Sequence, residues 1–178
     1  MTSEQRHGRE FDLVIYGATG FVGKLLSDYL ARFAPSGMKI ALAGRSQSKL
    51  VALRETLPSP ASSWPIIVAD ADDEDALDSL AGRTKVVVTT VGPYLKYGLP
   101  LVNACAKKGT HYADLTGEAL FVRRCIDECD ELAKQSGAKI VNSCGFDSIP
   151  SDLGVLLAYG YARDHGLGHL TDTTLVVR

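Results

Sequence analysis

Short apolar runs alternate with amphipathic segments along almost the whole chain. The six candidate strands are rich in Val and Ile and show little alternation of polar and apolar residues, which is typical of parallel strands covered by helices on both faces. Because crossovers between parallel strands are right-handed, the pattern predicts an α/β fold with a doubly wound, mostly parallel sheet. The predicted strands are Phe11–Tyr16, Lys39–Ala43, Pro65–Ala69, Lys85–Thr90, Thr110–Ala113 and Lys139–Asn142. The predicted helices between them are Gly20–Phe33, Ser46–Leu57, Asp72–Ala81, Tyr97–Lys108 and Glu118–Ser136.

The segment after the sixth strand differs from this repeating pattern. Ile149–Asp152 is typical of a helix cap, and it predicts a helix from Leu153 to about Arg163. Thr173–Arg178 then indicates either a strand that opens a second domain, cut short here, or an edge strand of the same sheet. We therefore divide the chain into a polar tail (1–10), a nucleotide-binding domain (11–165) and the start of a substrate domain or an edge strand (166–178).

The first turn between strand and helix predicts phosphate binding. Gly17 can adopt a tight turn, Gly20 lets backbone amides approach a pyrophosphate, and Gly23 lets the helix pack close to the strand. The N-terminus of the following helix adds unpaired amide donors and a partial positive charge. Together these features predict a Rossmann dinucleotide site. The cofactor-binding residues expected here are Gly17, Ala18, Thr19, Gly20, Phe21, Val22 and Gly23.

The end of the second strand favours NADP(H) over NAD(H). NAD-binding relatives of this fold place an acidic residue there to hold the ribose 2′-hydroxyl, whereas this chain carries Arg45, followed by Ser46. A guanidinium can hold a 2′-phosphate through two charge-assisted hydrogen bonds. A solvated surface arginine is the alternative. Asp70, after the third strand, is expected to contact the adenine amino group or to cap the next helix.

The loop after the fourth strand should pass near the nicotinamide half of the cofactor. We therefore add Val91, Gly92, Pro93 and Tyr94 to the expected cofactor-binding residues, although a plain strand-to-helix turn would explain them equally well. Several polar side chains near the carboxyl ends of the fourth and fifth strands could line a substrate cleft, but none has a partner that fixes a role. They are Tyr94, Lys96, Tyr97, Tyr112, Asp114 and Glu118. No Tyr-x-x-x-Lys pair occurs, so the catalytic residue is not assigned.

The amino-acid composition limits the binding partners and the cellular locations that we expect. A formal net charge of −2 gives no reason to expect nucleic acid as a partner, and no stretch has the roughly 20 apolar residues of a membrane span. We expect a cytoplasmic protein, with peripheral attachment to the plasma membrane left open. The four cysteines are expected to be reduced and buried or half-buried, without a metal site, and His165 and His169 to lie in a loop. The oligomeric state is not predicted.

Taken together, several motifs resemble the saccharopine dehydrogenase-like oxidoreductases, and more narrowly their mycobacterial trans-acting enoyl reductase branch. The motifs are Asp12–Gly23, Ala41–Ser46, Thr89–Tyr94, Tyr112–Glu118 and Cys144–Asp152, and the resemblance extends over essentially all of the chain. It implies an NADPH-binding Rossmann domain, followed in full-length members by a substrate domain. No catalytic residue is implied.

The same resemblance implies an activity and its partners. Members of the enoyl reductase branch reduce a carbon–carbon double bond on chains carried by a polyketide synthase, for lipids of the cell envelope. An acyl substrate, small or carrier-bound, and a polyketide synthase partner are therefore expected. Two alternatives stay open: an amino-acid dehydrogenase of the saccharopine type, and a non-catalytic NADP-binding sensor or assembly subunit.

Overall fold

All six predicted strands form one parallel sheet in the order β3-β2-β1-β4-β5-β6. The computed structural model describes residues 8–176. The strands are β1 (Phe11–Tyr16), β2 (Ile40–Gly44), β3 (Ile66–Val68), β4 (Thr84–Thr89), β5 (His111–Ala113) and β6 (Ile140–Val141). Because the strand order reverses between β1 and β4, the carboxyl ends of these two strands border a crevice. This is the predicted doubly wound α/β fold.

The helices lie where the sequence predicts them, with shifted starts. They are α1 (Phe21–Phe33), α2 (Gln47–Thr56), α3 (Glu74–Arg83), α4 (Tyr94–Lys108), α5 (Ala119–Ser136) and α6 (Ile149–Asp164), with a short 3₁₀ turn at Ala61–Ser63. The predicted start of α3 at Asp72 is wrong, because the carboxylate of Asp73 accepts the amide of Ala76 at 3.0 Å and caps the helix. Helix α4 begins three residues before the predicted Tyr97, directly after the N-cap residue Pro93.

Local interactions set several of the helix ends. The hydroxyl of Ser46 accepts the amide of Lys49 at 3.5 Å and caps α2, as expected. Gly109 and Gly137 follow α4 and α5 with φ of 67° and 77°, the left-handed conformation that ends a helix. These predicted boundaries are therefore confirmed.

The core consists of two layers, one on each face of the sheet. Val14 and Val87 of the central strands belong to the layer that includes α3, α4 and α5. Ile15 and Leu42 belong to the layer that includes α1 and α2. Central strands are thus buried on both faces, which explains why their sequences are apolar without alternation.

The two ends of the described chain depart from expectation. Of the predicted tail, residues 1–7 lie outside the described residues. Arg9 is buried and donates to the carbonyl oxygens of Ala81, Thr84 and Lys108. Residues 173–176 pair with none of the six strands, so the edge-strand alternative is wrong over these residues, and the alternative that they open a second domain stays a prediction. Residues 177 and 178 lie outside the described residues. Within residues 8–176, no helix is both long and apolar enough to cross a membrane.

Candidate functional site

A cleft of about 380 Å³ lies at the carboxyl ends of β1 and β4, where the strand order reverses. Its walls come from the turns that follow β1, β2, β3 and β4, together with the first turn of α4. The lining residues are Tyr16, Gly17, Thr19, Gly20, Gly44, Arg45, Asp70, Ala71, Asp72, Thr90, Val91, Gly92 and Tyr97. This is the position at which doubly wound folds bind their ligands.

The turn after β1, residues Gly17–Gly20 (the glycine turn), packs against the loop after β4. Gly17 has φ of 85°, and a Cβ atom there would lie 2.7 Å from Cγ2 of Val91 and 2.9 Å from Oγ1 of Thr90. The hydroxyl of Thr90 donates to the carbonyl oxygen of Gly17 at 3.1 Å. Gly17 therefore needs to be glycine both for its backbone conformation and for its packing.

Helix α1 begins directly behind this turn with its N-terminus open. The N-cap residue is Gly20, which offers no side-chain cap, and the first turn contains no acidic residue. A Cβ atom on Gly23 would overlap the carbonyl oxygen of Gly17 and lie 2.8 Å from the Cα atom of Ala18. The helix thus approaches the turn as closely as backbone atoms allow. The N-cap residue Gly20 lines the cleft, so the N-terminus of α1 borders it, and we expect the first amides of the helix to favour an anion there.

The wall after β2 and β3 carries both signs of charge. Arg45 is exposed and lines the cleft, whereas the hydroxyl of Ser46 caps α2. Asp70 also lines the cleft, and its Oδ1 accepts the amide of Asp72 at 3.2 Å. The capping alternative for Asp70 is therefore wrong, since the capping position of α3 belongs to Asp73. The contact with the adenine amino group stays a prediction.

Tyr16 lies at the base of the same wall and was not expected there. Its hydroxyl donates to the carbonyl oxygen of Ala69 at 3.4 Å. Burial raises the pKa of Tyr16 well above its usual value of 10, with smaller rises from Asp70 and Asp72 and an opposing effect of Arg45. Tyr16 therefore remains a neutral donor at physiological pH.

The loop after β4 contributes only part of its length to the cleft. Val91 and Gly92 are lining residues, and Pro93 and Tyr94 are not. The side chain of Tyr94 is 6% exposed and its hydroxyl donates to the carbonyl oxygen of Thr89 at 3.1 Å. Burial raises the pKa of Tyr94 to about 12. This tyrosine packs in the core, so its side chain is not placed to donate a proton in the cleft.

A buried carboxylate ties together the loops after β5 and β6. Asp114 is 2% exposed, and its oxygens accept from the Tyr112 hydroxyl at 2.9 Å and from the Asn142 side-chain amide at 2.7 Å. They also accept from the backbone amides of Thr116 at 3.0 Å and Ser143 at 2.9 Å. Burial, assisted by Asp114, raises the pKa of Tyr112 well above 10, so its hydroxyl keeps the proton that it donates.

Glu118 reaches from the β5 loop to the start of α4. Its two carboxylate oxygens accept the amides of Tyr94 at 2.7 Å and Leu95 at 2.9 Å. These are the first two amides of α4, and a carboxylate is the group that a helix N-terminus favours. Sequence spacing gave Glu118 no partner, because its partners lie 24 and 23 residues away.

The expected cofactor-binding residues thus separate into two groups. Those that line the cleft are Gly17, Thr19, Gly20, Arg45, Asp70, Val91 and Gly92. Those that do not are Ala18, Phe21, Val22, Gly23, Ser46, Pro93 and Tyr94. Phe21 is 81% exposed, and from this turn we expect backbone amides rather than side chains to reach a ligand. Sequence analysis missed Tyr16, Gly44, Ala71, Asp72 and Thr90 as lining residues, although four of these five directly flank predicted ones.

The thiols and the histidines within residues 8–176 are not among the residues that line this cleft. Cys105, Cys125 and Cys129 are buried and reduced, as expected, whereas Cys144 is exposed, which the sequence did not predict. His165 follows the end of α6, and its ring stacks on that of Tyr161 at 4.0 Å between centroids.

Comparison with known families matches most of the chain to an NADP-binding unit. A family model described as the saccharopine dehydrogenase NADP binding domain matches residues 13–141. This segment contains all the elements from β1 to β6 except the first two residues of β1. It therefore includes every residue that lines the cleft.

Proteins named trans-acting enoyl reductases are similar to nearly the whole chain. One from Mycobacterium tuberculosis, which carries that name provisionally, is 58% identical over 170 residues. Those of Mycobacterium bovis and Mycobacterium leprae are each 54% identical over 170 residues. Each alignment covers 96% of this chain but 40% of the relative, so the chain spans 40% of the length of these relatives.

Two solved structures share the fold. Apo saccharopine dehydrogenase (L-Glu forming) from Saccharomyces cerevisiae has a TM-score of 0.69 and 20% identity, over 88% of this chain and 32% of that one. Triphenylmethane reductase from Citrobacter sp., complexed with NADP(H), has a TM-score of 0.54 and 15% identity, over 74% of this chain and 48% of that one. At such identities the likeness concerns the fold alone.

Proposed function

Because this chain belongs to the saccharopine dehydrogenase NADP-binding domain family, whose cofactor is NADP(H), we propose that it is the cofactor-binding part of an NADPH-dependent enoyl reductase. One observation carries the proposal: the glycine turn, the open N-terminus of α1 and Arg45 meet in one cleft at the switch point of the sheet. An anion of two phosphates with a further 2′-phosphate fits that combination of donors.

The proposed orientation of the cofactor follows the walls of the cleft. The pyrophosphate would lie on the amides between Gly17 and the first turn of α1. The adenosine half would extend toward Arg45 and Asp70, with the 2′-phosphate at the guanidinium. The nicotinamide half would then lie beside Gly92 and Tyr97, at the carboxyl end of β4.

The proposed reaction is reduction of a carbon–carbon double bond conjugated to an acyl carbonyl. Hydride would pass from the dihydronicotinamide to the carbon farther from the carbonyl, and a proton would add to the carbon next to it. The cofactor supplies the hydride, so the chain's own task is to hold it in place. No residue is assigned as the proton donor.

The substrate and partner are proposed from the relatives. Because proteins named trans-acting enoyl reductases are 54–58% identical to this chain, we propose an acyl chain carried by a polyketide synthase as the substrate and the synthase as the partner, in the cytoplasm. No described residue supports the expected peripheral attachment to a membrane. Residues 11–165 would form the NADP-binding unit, and the chain from 166 onward would lead into a substrate-binding part.

Titration with both nicotinamide cofactors tests the proposal directly. We expect the chain to bind NADPH more tightly than NADH, and Arg45→Ala to weaken NADPH by about 1.5–3 kcal/mol, roughly 10–150-fold, while leaving NADH nearly unchanged. Arg124→Ala, which removes an exposed arginine paired with Glu128 on α5, is the control and should change neither affinity. Equal losses for the two cofactors in Arg45→Ala would contradict the role given to Arg45.

Addition of an enoyl thioester to the NADPH complex tests the reaction. Loss of reduced-nicotinamide absorbance would show that the residues present suffice for turnover. Tight NADPH binding without turnover would favour a sensor, or a cofactor-binding part that needs the remainder of a longer protein.

A further inference from the structure

Two helix N-termini border the cleft: that of α1 has no side-chain cap, whereas that of α4 is capped by a carboxylate. Helix α1 begins after Gly20, with no side-chain cap and no acidic residue in its first turn. Helix α4 begins after Pro93, and both of its first amides are occupied by the carboxylate of Glu118. One N-terminus is therefore open to an anion, whereas the other already holds one that belongs to the protein.

The start of α4 is part of the cleft wall. Gly92, two residues before the helix, and Tyr97, in its first turn, are both lining residues. In the proposed orientation these residues lie beside the nicotinamide, where a substrate must approach. The charge at the start of α4 therefore acts on the substrate rather than on the cofactor phosphates.

Glu118 is fixed by the buried network described above. Its own amide donates to the hydroxyl of Thr116 at 3.0 Å, and the amide of Thr116 donates to Asp114 at 3.0 Å. Because Asp114 is buried and further held by Tyr112 and Asn142, the loop that carries Glu118 has little freedom to withdraw. A carboxylate held in this way permanently occupies the first amides of α4, between the lining residues Gly92 and Tyr97, although Glu118 itself does not line the cleft.

We propose that Glu118 is a specificity-determining residue that closes the N-terminus of α4 to anions, so that the nicotinamide end of the cleft accepts an uncharged acyl group and rejects a free carboxylate. A substrate carboxylate there would find the helix amides taken and would be repelled by Glu118. Asp72, which lines the cleft, adds negative charge. The nearest cation along α4, Lys96, has its Nζ 4.7 Å from the ring centroid of Tyr97.

The substrate class that follows is an acyl chain whose carboxyl carbon is bound as an ester or a thioester. A carrier-bound enoyl chain meets this condition, whereas an amino-acid dicarboxylate does not. This inference rests on the proposed function for the placement of the nicotinamide. That Glu118 occupies the first amides of α4 follows from the two hydrogen bonds alone, and this part can be tested without cofactor.

Titration of the chain with crotonate and methyl crotonate, followed through the backbone amide NMR signals of Tyr94 and Leu95, tests the inference. Chloride keeps the ionic strength constant. In the wild type we expect no saturable shift of these two signals with crotonate. In Glu118→Ala we expect a saturable shift with crotonate, because the vacated amides then bind its carboxylate, and the ester should affect both proteins equally. Glu131→Ala, which removes an exposed carboxylate of α5, should behave as the wild type does.

Two results would overturn the inference. One is a saturable crotonate shift at these amides in the wild type. The other is its absence in a Glu118→Ala protein whose remaining amide spectrum is native. If Glu118→Ala does not fold, Glu118→Gln replaces it, since its neutral amide oxygen can be displaced by a carboxylate and a smaller saturable shift is expected; its absence would likewise overturn the inference. An NADPH titration of the wild type separates the two proposals, because failure there removes the proposed function while the crotonate result still decides the role of Glu118.

Discussion

Gly23→Ala should destabilise the protein although the same change usually stabilises a helix. Gly23 lies in the first turn of α1, facing the glycine turn. An added Cβ atom would overlap the carbonyl oxygen of Gly17 and lie 2.8 Å and 2.9 Å from the Cα and carbonyl carbon of Ala18. All three are backbone atoms, so no side-chain rotation can relieve the contact.

The expected magnitude follows from two opposing effects. Alanine gains about 0.5–1 kcal/mol over glycine in a helix interior, whereas overpacking a buried contact costs about 1–3 kcal/mol, occasionally more. We therefore expect a net loss of about 1–2 kcal/mol in the free energy of unfolding, or roughly 2–8 °C in Tm for a chain of this size. Because the contact lies inside the phosphate turn, NADPH affinity should fall at least tenfold as well.

Gly82→Ala provides the matched control. Gly82 lies in α3, and a Cβ atom there would meet nothing within 4 Å. Thermal unfolding and NADPH titration of the two variants should therefore give opposite results: Gly82→Ala slightly more stable with unchanged affinity, Gly23→Ala less stable with weakened binding. A Gly23→Ala protein with native stability and affinity would refute the close approach of α1 to the turn.

Three further predictions concern buried ionisable groups. Asp114→Ala should lower the free energy of unfolding by about 3 kcal/mol or more, because it leaves buried donors without an acceptor; urea unfolding measures this. A chromogenic thiol reagent should modify Cys144 rapidly and Cys105, Cys125 and Cys129 only on unfolding, so fast reaction of more than one thiol would contradict the observed burial. Burial raises the pKa of Cys125 from 9.0 to about 12, so the unfolded thiol loses its proton first. Between pH 9 and about 12 this one thiol should therefore lower the free energy of unfolding by up to about 1.4 kcal/mol per pH unit, and Cys125→Ala should remove that part of the slope.

The fold could be predicted because each element carries its own local signal. The apolar strands, Ser46 as a cap, and Gly109 and Gly137 as helix ends are all features of a few adjacent residues. The final strand was predicted on the same kind of signal and is not formed over 173–176. A β-like run becomes a strand only when a neighbouring strand supplies hydrogen bonds, and a sequence pattern does not show whether that neighbour exists.

Only those site residues whose role follows from their position directly after a strand could be predicted from the sequence. Gly17, Gly20 and Arg45 follow directly from position after a strand, and all three line the cleft. Tyr94 satisfied the same positional rule, yet its side chain is buried in the core because α4 begins at that residue. Glu118 could not be assigned at all, since its acceptor atoms meet amides that are more than 20 residues away.

The distant contacts matter because they decide the sign of charge along the cleft. In the proposed orientation the phosphates would meet Arg45 and the uncapped start of α1, while the nicotinamide would meet the start of α4 with its charge cancelled by Glu118. The negative charge of the cofactor lies on its phosphates, which would meet Arg45 and the start of α1. Its nicotinamide ring becomes cationic once the hydride has left. Because the carboxylate of Glu118 cancels the positive charge of the helix start, that charge would neither oppose the developing positive charge of the ring nor attract a second anion. In the proposed orientation Glu118 would therefore restrict the charge of the substrate, and its replacement should change substrate charge preference more than cofactor affinity.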